Sequence, residues 1–284
     1  MVMTSSFEVA TRDAQGFSVI KDWTASPGMA LANTAPDIGG APNPLSNLHA
    51  RRALARATDQ QALADAVGTG IRLPRSPISS DGKWGLPDDQ TGYPSFDPAK
   101  AKEELDQYKR DTGASSLQVE LSSVSDTDTL RVAQSLQAQW REAGIETTIS
   151  SKEAGAFVAD VVFGKYQLAL FGMYGAPDPD FNYYFWTADN IHPAGQISLN
   201  FSRFTTPKME EALHVGRANP DFAARKRAYD DIVREINANA VHIWTYDFPN
   251  SLVADESVHG LRTPAEVPFF GAPPVWLADL WVAV

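Results

Sequence analysis

A chain of 284 residues, 43% of them hydrophobic, can bury a full core and has room for one large domain or two modest ones. Lysine and arginine number 24 against 35 aspartates and glutamates, and the net charge of -11 repels phosphate backbones and anionic lipid surfaces, so nucleic acid is not an expected partner. With no cysteine there is no disulfide framework, thiolate nucleophile or cysteine-type zinc site, and the apolar runs FVADVVFG and YQLALFGMYGA fall short of a bilayer span.

The opening MVMTSSFEVATRDAQ lacks the basic start and apolar core of a secretion signal. SFEVAT, FSVIKDW and MALANT read as short strands separated by turn residues, and the proline- and glycine-rich APDIGGAPNP follows them. LSNLHARRALARATDQQALADAV is rich in alanine, leucine and arginine and predicts two helices meeting near Thr58-Asp59. Residues 71–96 carry prolines and glycines without periodicity, a long irregular surface loop of the kind that is often functional.

From Asp97 the pattern becomes regular. Asp97-Pro98 caps and opens a helix that Gly113 stops, and the strand LQVELSSV comes next. TDTLRVAQSLQAQWREAG places Val132, Leu136, Trp140 and Ala143 on one helical face before the strand IETTIS. A short helix, EAGAFVADVVFG, leads to the strand YQLALF. Alternation of strand and helix at these spacings argues for parallel βαβ units, and the crowded segment GMYGAPDPDFNYYFWTADN then sits at the carboxyl end of a strand, where open α/β sheets hold ligands. Two further helices are opened by Thr206-Pro207 and Asn219-Pro220, the second with Phe222, Tyr229, Ile232, Val233 and Ile236 along one face. VHIWTYDF and NSLVAD read as a strand pair joined near Pro249-Asn250, with a proline- and tryptophan-rich tail beyond.

Asp178-Pro179-Asp180 has the carboxylate spacing of cation or acid/base sites, but no third ligand is near; the plainer reading is a turn at Asp178-Pro179 with Asp180 capping a short helix from Phe181. The aromatics of this segment are too contiguous for one helical face, so some of them should meet a cleft, Tyr174 and Trp186 first among them. The histidines at 49, 192, 214, 242 and 259 are scattered and predict no zinc site, and G-x-S-x-G, P-loop and G-x-G-x-x-G patterns are absent from the sequence. Arg51, Arg52 and Arg56 form one basic cluster on a helix, expected to pair with nearby acids or to border a cleft.

Taken in order, NLHARRALARATDQQALADAVGTG, FDPAKAKEELDQYKRDTG, QAQWREAGIETTI, YQLALFGMYGAPDPDFNYYFW and RKRAYDDIVREINANAVHIWTYDFPNSLVADESVHGL resemble the C-terminal part of the family 5 extracellular solute-binding proteins, the peptide-, opine- and nickel-binding subunits of ABC importers. The resemblance implies an α/β fold, one periplasmic-binding-protein-like lobe of type II, cluster C-like, built from βαβ units with strand remnants of the other lobe. It implies crossover strands at 1–41, a complete ligand-binding lobe at 42–248 and a C-terminal return segment at 249–284. That family is close to twice this length, so a fragment is expected. The implied ligand contacts are Tyr174, Gly175, Asp178, Asp180, Phe181, Tyr184 and Trp186. Peptide-binding members usually carry an aspartate where Gly175 stands here, to hold the peptide's free amine, which gives weight to non-peptide or amine-blocked solutes.

The expected partners are therefore a small solute (a peptide, opine, sugar or metal chelate) and the permease of an ABC importer, with no cofactor, no metal, no enzymatic activity and a monomeric chain. Its expected place is outside the cytoplasm. The expected mechanism is hinge closure of two lobes on the solute, so a lobe alone should bind weakly. Two other readings are a ligand-sensing module of a regulator and, less favoured, a hydrolase using Asp178 and Asp180.

Overall fold

The structure is a computed structural model that describes residues 2–4, 17–22, 27–67, 71–80, 82–172, 178–247, 250–261 and 279–282. Strands are numbered in chain order: β1 (Val2–Thr4), β2 (Phe17–Asp22), β3 (Pro27–Ala32), β4 (Asp37–Ile38), β5 (Ala41–Pro42), β6 (Leu117–Val124), β7 (Ile145–Lys152), β8 (Leu168–Gly172), β9 (His242–Asp247), β10 (Asn250–Asp255), β11 (Val258–His259) and β12 (Trp281–Val282). The main sheet has the order β7-β6-β8-β3-β9. β6 runs parallel to both β7 and β8, as the strand–helix alternation predicts, while β3 is antiparallel to β8 and to β9.

Side-chain alternation explains why the middle of this sheet is apolar throughout. On β3, Ala30 and Ala32 face one core with Leu54, Leu105, Trp140 and Ile243, while Met29 and Leu31 face another with Phe157, Tyr166 and Trp244. A strand covered on both faces cannot show an in–out pattern, and β3 is buried at every position. The sequence reading assigned residues 1–41 to crossing strands of the other lobe; β3 instead lies inside this sheet, between β8 and β9. The SFEVAT segment and most of the C-terminal tail lie outside the described residues.

Helix boundaries follow their caps. Asn47 accepts from the amides of His49 and Ala50 to start Leu48–Arg56, Asp97 accepts from Lys100 to start Pro98–Thr112, and Asp126 accepts from Thr129 to start Thr127–Glu142. Gly113 ends its helix at φ 72°, the left-handed conformation that glycine adopts without strain. Trp140, fully buried, donates its indole N–H to Thr58 Oγ1 at 2.9 Å and so ties the sheet-covering helix to the turn between Leu48–Arg56 and Gln60–Val67. The last long helix starts at Phe222, not at Pro220, because Asp221 is the residue whose carboxylate accepts from Ala224 N–H.

Two further expectations are corrected. β9 and β10 do not pair with each other: β9 closes the main sheet, whereas β10 lies between β1 and β2 in a separate three-stranded sheet. And among the described residues the clustered arginines meet backbone carbonyls, not the carboxylates expected of them. Arg51 is 4% exposed, and it donates to the carbonyls of Leu45, Ser46 and Asn239; Arg52 donates twice to Ala238 O and Arg56 to Ser95 O. Arg51 and Arg52 thus satisfy carbonyls at the carboxyl end of the Phe222–Ala238 helix, where the backbone dipoles favour positive charge. Burial holds the Arg51 guanidinium below its ordinary pKa, at about 10, and the nearby Arg52 charge adds to the effect, yet it stays charged at neutral pH. Replacing Arg51 by methionine, which keeps the stem and removes the donors, should cost about 2–3 kcal/mol in urea unfolding; an unchanged midpoint would contradict this role.

Candidate functional site

The sheet's register gathers the carboxyl ends of its strands along one edge. Gly172, the last residue of β8, pairs with Gly28, and Asp247, the last of β9, pairs with Pro27. β6 and β7 end on the same side because both run with β8. At this edge lies a recess of about 310 Å³, lined among others by Pro27, Arg72, Arg75, Ser76, Ile78 and Asp247. A second, more open recess of about 740 Å³ lies at the opposite, amino-terminal edge, around Asn43, Tyr108, Ser116, Gln118 and Gln167. In open α/β sheets the carboxyl edge is the ligand-binding one.

The wall of the carboxyl-edge recess is residues 71–80, and buried polar side chains fix its backbone. Gln60 donates through Nε2 to Pro74 O at 2.9 Å and to Thr245 O at 3.2 Å, joining wall to β9. Asn237 donates through Nδ2 to Arg75 O at 2.9 Å and Thr91 O at 3.0 Å, and its Oδ1 accepts from Trp244 Nε1 at 2.9 Å. Asp247 N–H donates to Arg72 O, and the Tyr93 hydroxyl accepts from Trp244 N–H. The segment read as an irregular surface loop is therefore irregular but clamped, with Pro74, Ser76, Thr91 and Trp84 buried.

The segment after β8 behaves differently from the sequence expectation. Tyr174 and Gly175 lie outside the described residues. Asp178, not Asp180, is the capping residue: its carboxylate accepts from Asp180 N–H and starts the short helix Pro179–Asn182. The same Asp178 Oδ1 takes a hydrogen bond of 2.6 Å from Arg225 Nη2, and Asp180 Oδ2 stands 3.7 Å from Arg217 Nε. Both carboxylates are thereby turned to arginines on the helices Pro207–Ala218 and Phe222–Ala238. Partial burial pushes the Asp178 carboxyl up, but the Arg225 hydrogen bond and the Asp180 amide outweigh it, so it titrates below the usual aspartate range.

Because its folded pKa is lowered, the Asp178 contact holds above the ordinary aspartate pKa of about 3.9 and fades as pH falls through the folded value. Amide exchange in residues 181–186 should accelerate below about pH 4, and Asp178→Asn should produce that faster exchange already at pH 7. Equal exchange in variant and parent at pH 7 would contradict the assignment.

The remaining expected contacts divide by exposure. Tyr184 is 52% exposed and meets Tyr183 edge-on at 5.9 Å, with the Arg217 guanidinium 4.1 Å from the Tyr183 ring centre. Phe181 stands edge-on to Phe185 at 6.3 Å. Trp186, expected to offer a flat face to a cleft, is 3% exposed and belongs to a core with Trp84, Met209, Leu213, Tyr229 and Ile232. Its position in the four-residue helix Tyr183–Trp186 turns it inward, opposite the exposed Tyr184. Ile78 packs on this same core and also lines the recess, so the Asp-Pro segment and the recess flank one apolar block. The recess residues were absent from the residue-level expectations; the length and proline content of 71–96 were the signal that marked their segment.

A mixed α/β sheet with a walled recess at its carboxyl edge, and with β2 and β10 carrying the chain into a second sheet on either side of β3 and β9, defines a lobe of the periplasmic-binding-protein class. The oligopeptide-binding protein AppA from Bacillus subtilis, solved with a nonapeptide, shares this fold at a TM-score of 0.79 and 15% identity, over 99% of this chain and 55% of that one. The dipeptide-binding protein from Pseudoalteromonas sp. SM9913, solved with Met-Leu, does so at 0.75 and 21% identity, over 97% and 52%. In sequence, the dipeptide-binding protein of Escherichia coli K12 is 27% identical over 202 residues, covering 66% of this chain and 35% of the relative. The probable ABC transporter periplasmic-binding protein SapA of the same strain is 26% identical over 230 residues, covering 77% and 40%. The chain belongs to the bacterial extracellular solute-binding proteins, family 5 Middle, whose family model matches residues 3–192. It spans well under half the length of these two sequence relatives and about half that of the solved structures.

Proposed function

We propose that this chain supplies a ligand-binding lobe of the solute-binding component of an ABC importer, acting outside the cytoplasm as a monomer and passing an oligopeptide or related small solute to a membrane permease. The observation that carries this reading is the walled recess at the carboxyl edge, beside the points where the chain leaves the main sheet, between Asp22 and Pro27 and between Asp247 and Asn250. Closure about those two connections brings a second lobe over the recess and removes the solute from water. The relatives named for dipeptides and oligopeptides support the solute class. The lobe in this reading runs from Pro27 to Asp247. Residues 1–26 and 249–284 serve the other lobe or the return to it, and Asp178, Asp180, Phe181 and Tyr184 form the rim that a bound solute or the opposite lobe meets.

The test is to express the longest reading frame that contains this chain and to identify copurifying small molecules by denaturing mass spectrometry. A peptide or peptide-like mass is the expected result. A nucleotide or nucleic-acid fragment as the stoichiometric ligand would contradict it.

A further inference from the structure

We propose that Arg225 is a positioning residue that couples the recess wall to the Asp-Pro rim, so that a displacement on the wall side is felt as a change in the order of residues 178–186. The use of this coupling in solute capture rests on the reading of the recess as the solute site; the coupling itself is a property of the lobe. Arg225 lies in the first turn of the Phe222–Ala238 helix, and its side chain meets three other segments. Nε donates to Gly216 O at 2.6 Å, near the carboxyl end of the Pro207–Ala218 helix, and Nη2 donates to Asp178 Oδ1 at 2.6 Å on the rim. The guanidinium carbon stands 4.8 Å from the ring centre of Trp84, which lies a few residues beyond the wall 71–80.

Two hydrogen bonds and one ring face fix the guanidinium plane, and a rigid planar fork offers its remaining donors only in the directions that plane allows. Where Trp84 holds the plane therefore sets where Asp178 is held. Trp84 is in turn set by its own surroundings: it is 5% exposed, with Tyr229 edge-on at 5.6 Å and the Phe222 ring at 4.6 Å. Ile78, which lines the recess, packs on the same core. A displacement of Ile78 thus has a continuous packed route to the rim, through that core to Trp84, Arg225 and Asp178. The second arginine on the rim works otherwise. Arg217, 3.7 Å from Asp180, stacks 4.1 Å from the ring centre of Tyr183, itself a rim residue, so it holds the rim to the Pro207–Ala218 helix, whereas Arg225 ties it to the wall side. A packed route is a coupling only if perturbing one end changes the other by way of the residue between them, which a double-mutant cycle measures.

The experiment is such a cycle on this chain, read by amide exchange in residues 180–186. Trp84→Phe keeps a buried ring and weakens the surface on which the guanidinium stacks. With Arg225 present it should speed exchange of the rim amides about two- to fivefold, the effect of part of one cation–π contact. With Arg225→Met it should change them by no more than about 1.5-fold. Arg225→Lys keeps the charge without the planar fork and should uncouple the rim as Arg225→Met does, whereas Arg217→Met should speed rim exchange and leave the Trp84→Phe effect in place. The second readout is the Asp178 carboxyl carbon resonance followed against pH; its facing cations are Arg225 and Lys83. Trp84→Phe should move its titration upward, toward the ordinary aspartate value of about 3.9, because a turned fork holds the carboxylate less well. Equal acceleration by Trp84→Phe in the two Arg225 backgrounds, or an unmoved Asp178 titration, would overturn the coupling and leave the recess as a solute site. The recess reading fails separately, if a copurified solute protects the amino-edge segments in place of the wall.

Discussion

Replacing Asn237 by leucine should lower stability by about 3–5 kcal/mol and loosen the recess wall at the same time. Asn237 is fully buried near the end of the Phe222–Ala238 helix, and its one side chain satisfies three groups: Arg75 O, Thr91 O and Trp244 Nε1. Leucine has the same branched skeleton of heavy atoms, so no cavity forms, and the loss comes from the orphaned partners and from crowding by two methyls bulkier than the amide oxygen and nitrogen. Each buried polar group left unmade costs about 1–3 kcal/mol, and Thr91 and Trp244 are both fully buried. Urea unfolding should show a lower midpoint with an unchanged slope, and hydrogen exchange should rise across residues 71–80 more than across β6 and β7. A loss below about 1 kcal/mol, or faster exchange spread evenly over the sheet, would contradict the clamp.

Acid should destabilise the fold through His242, with a slope approaching about 1.4 kcal/mol per pH unit. His242 opens β9 with its ring 4.9 Å from Trp244, edge-on, and its Nδ1 has no hydrogen-bond partner among the described residues. Burial holds the imidazole neutral in the folded chain, with a pKa lowered from the ordinary 6.5 to about 3. In the unfolded chain the ring takes a proton near its ordinary value. Between those limits the unfolded state binds more protons than the folded one, so stability falls as pH falls, beginning just above pH 6 and continuing to about pH 3. Carboxylates add their own acid dependence; the His242 part is the difference between parent and His242→Gln. Stability curves of the two should diverge at pH 7 and converge toward pH 4. Parallel curves over that interval would show that the ring is not held neutral.

The parts of the fold that the sequence announced are those in which one local rule decides. Asp97-Pro98, Asp126 and Thr206-Pro207 begin helices because a side-chain oxygen satisfies an orphan amide, and Gly113 ends one because it adopts φ 72°. The βαβ units from β6 to β8 follow from period and spacing alone. What escaped the sequence was decided by partners distant along the chain. β3 resembles any short apolar strand, and only its pairing with β8 and β9 places it at the heart of the sheet. β10 follows β9 within a few residues, as a hairpin strand would, yet its partners are β1 and β2.

The site shows the same division. The Asp-Pro segment was legible as a turn after a sheet strand, but that each of its carboxylates faces an arginine depends on Arg217 and Arg225, more than thirty residues away. The wall 71–80 carried no motif at all: its course is set by Asn237 and Gln60, which hold its carbonyls in place.

The measurement that bears most directly on the solute-binding reading is hydrogen–deuterium exchange on the protein encoded by the whole reading frame, with and without the solute that copurifies. Binding at the carboxyl edge predicts protection concentrated in residues 71–80, in 178–186 and at the end of β9 around Asp247, with the amino-edge segments 42–47 and 114–118 unchanged. Protection confined to those amino-edge segments, with the wall 71–80 exchanging as before, would contradict it.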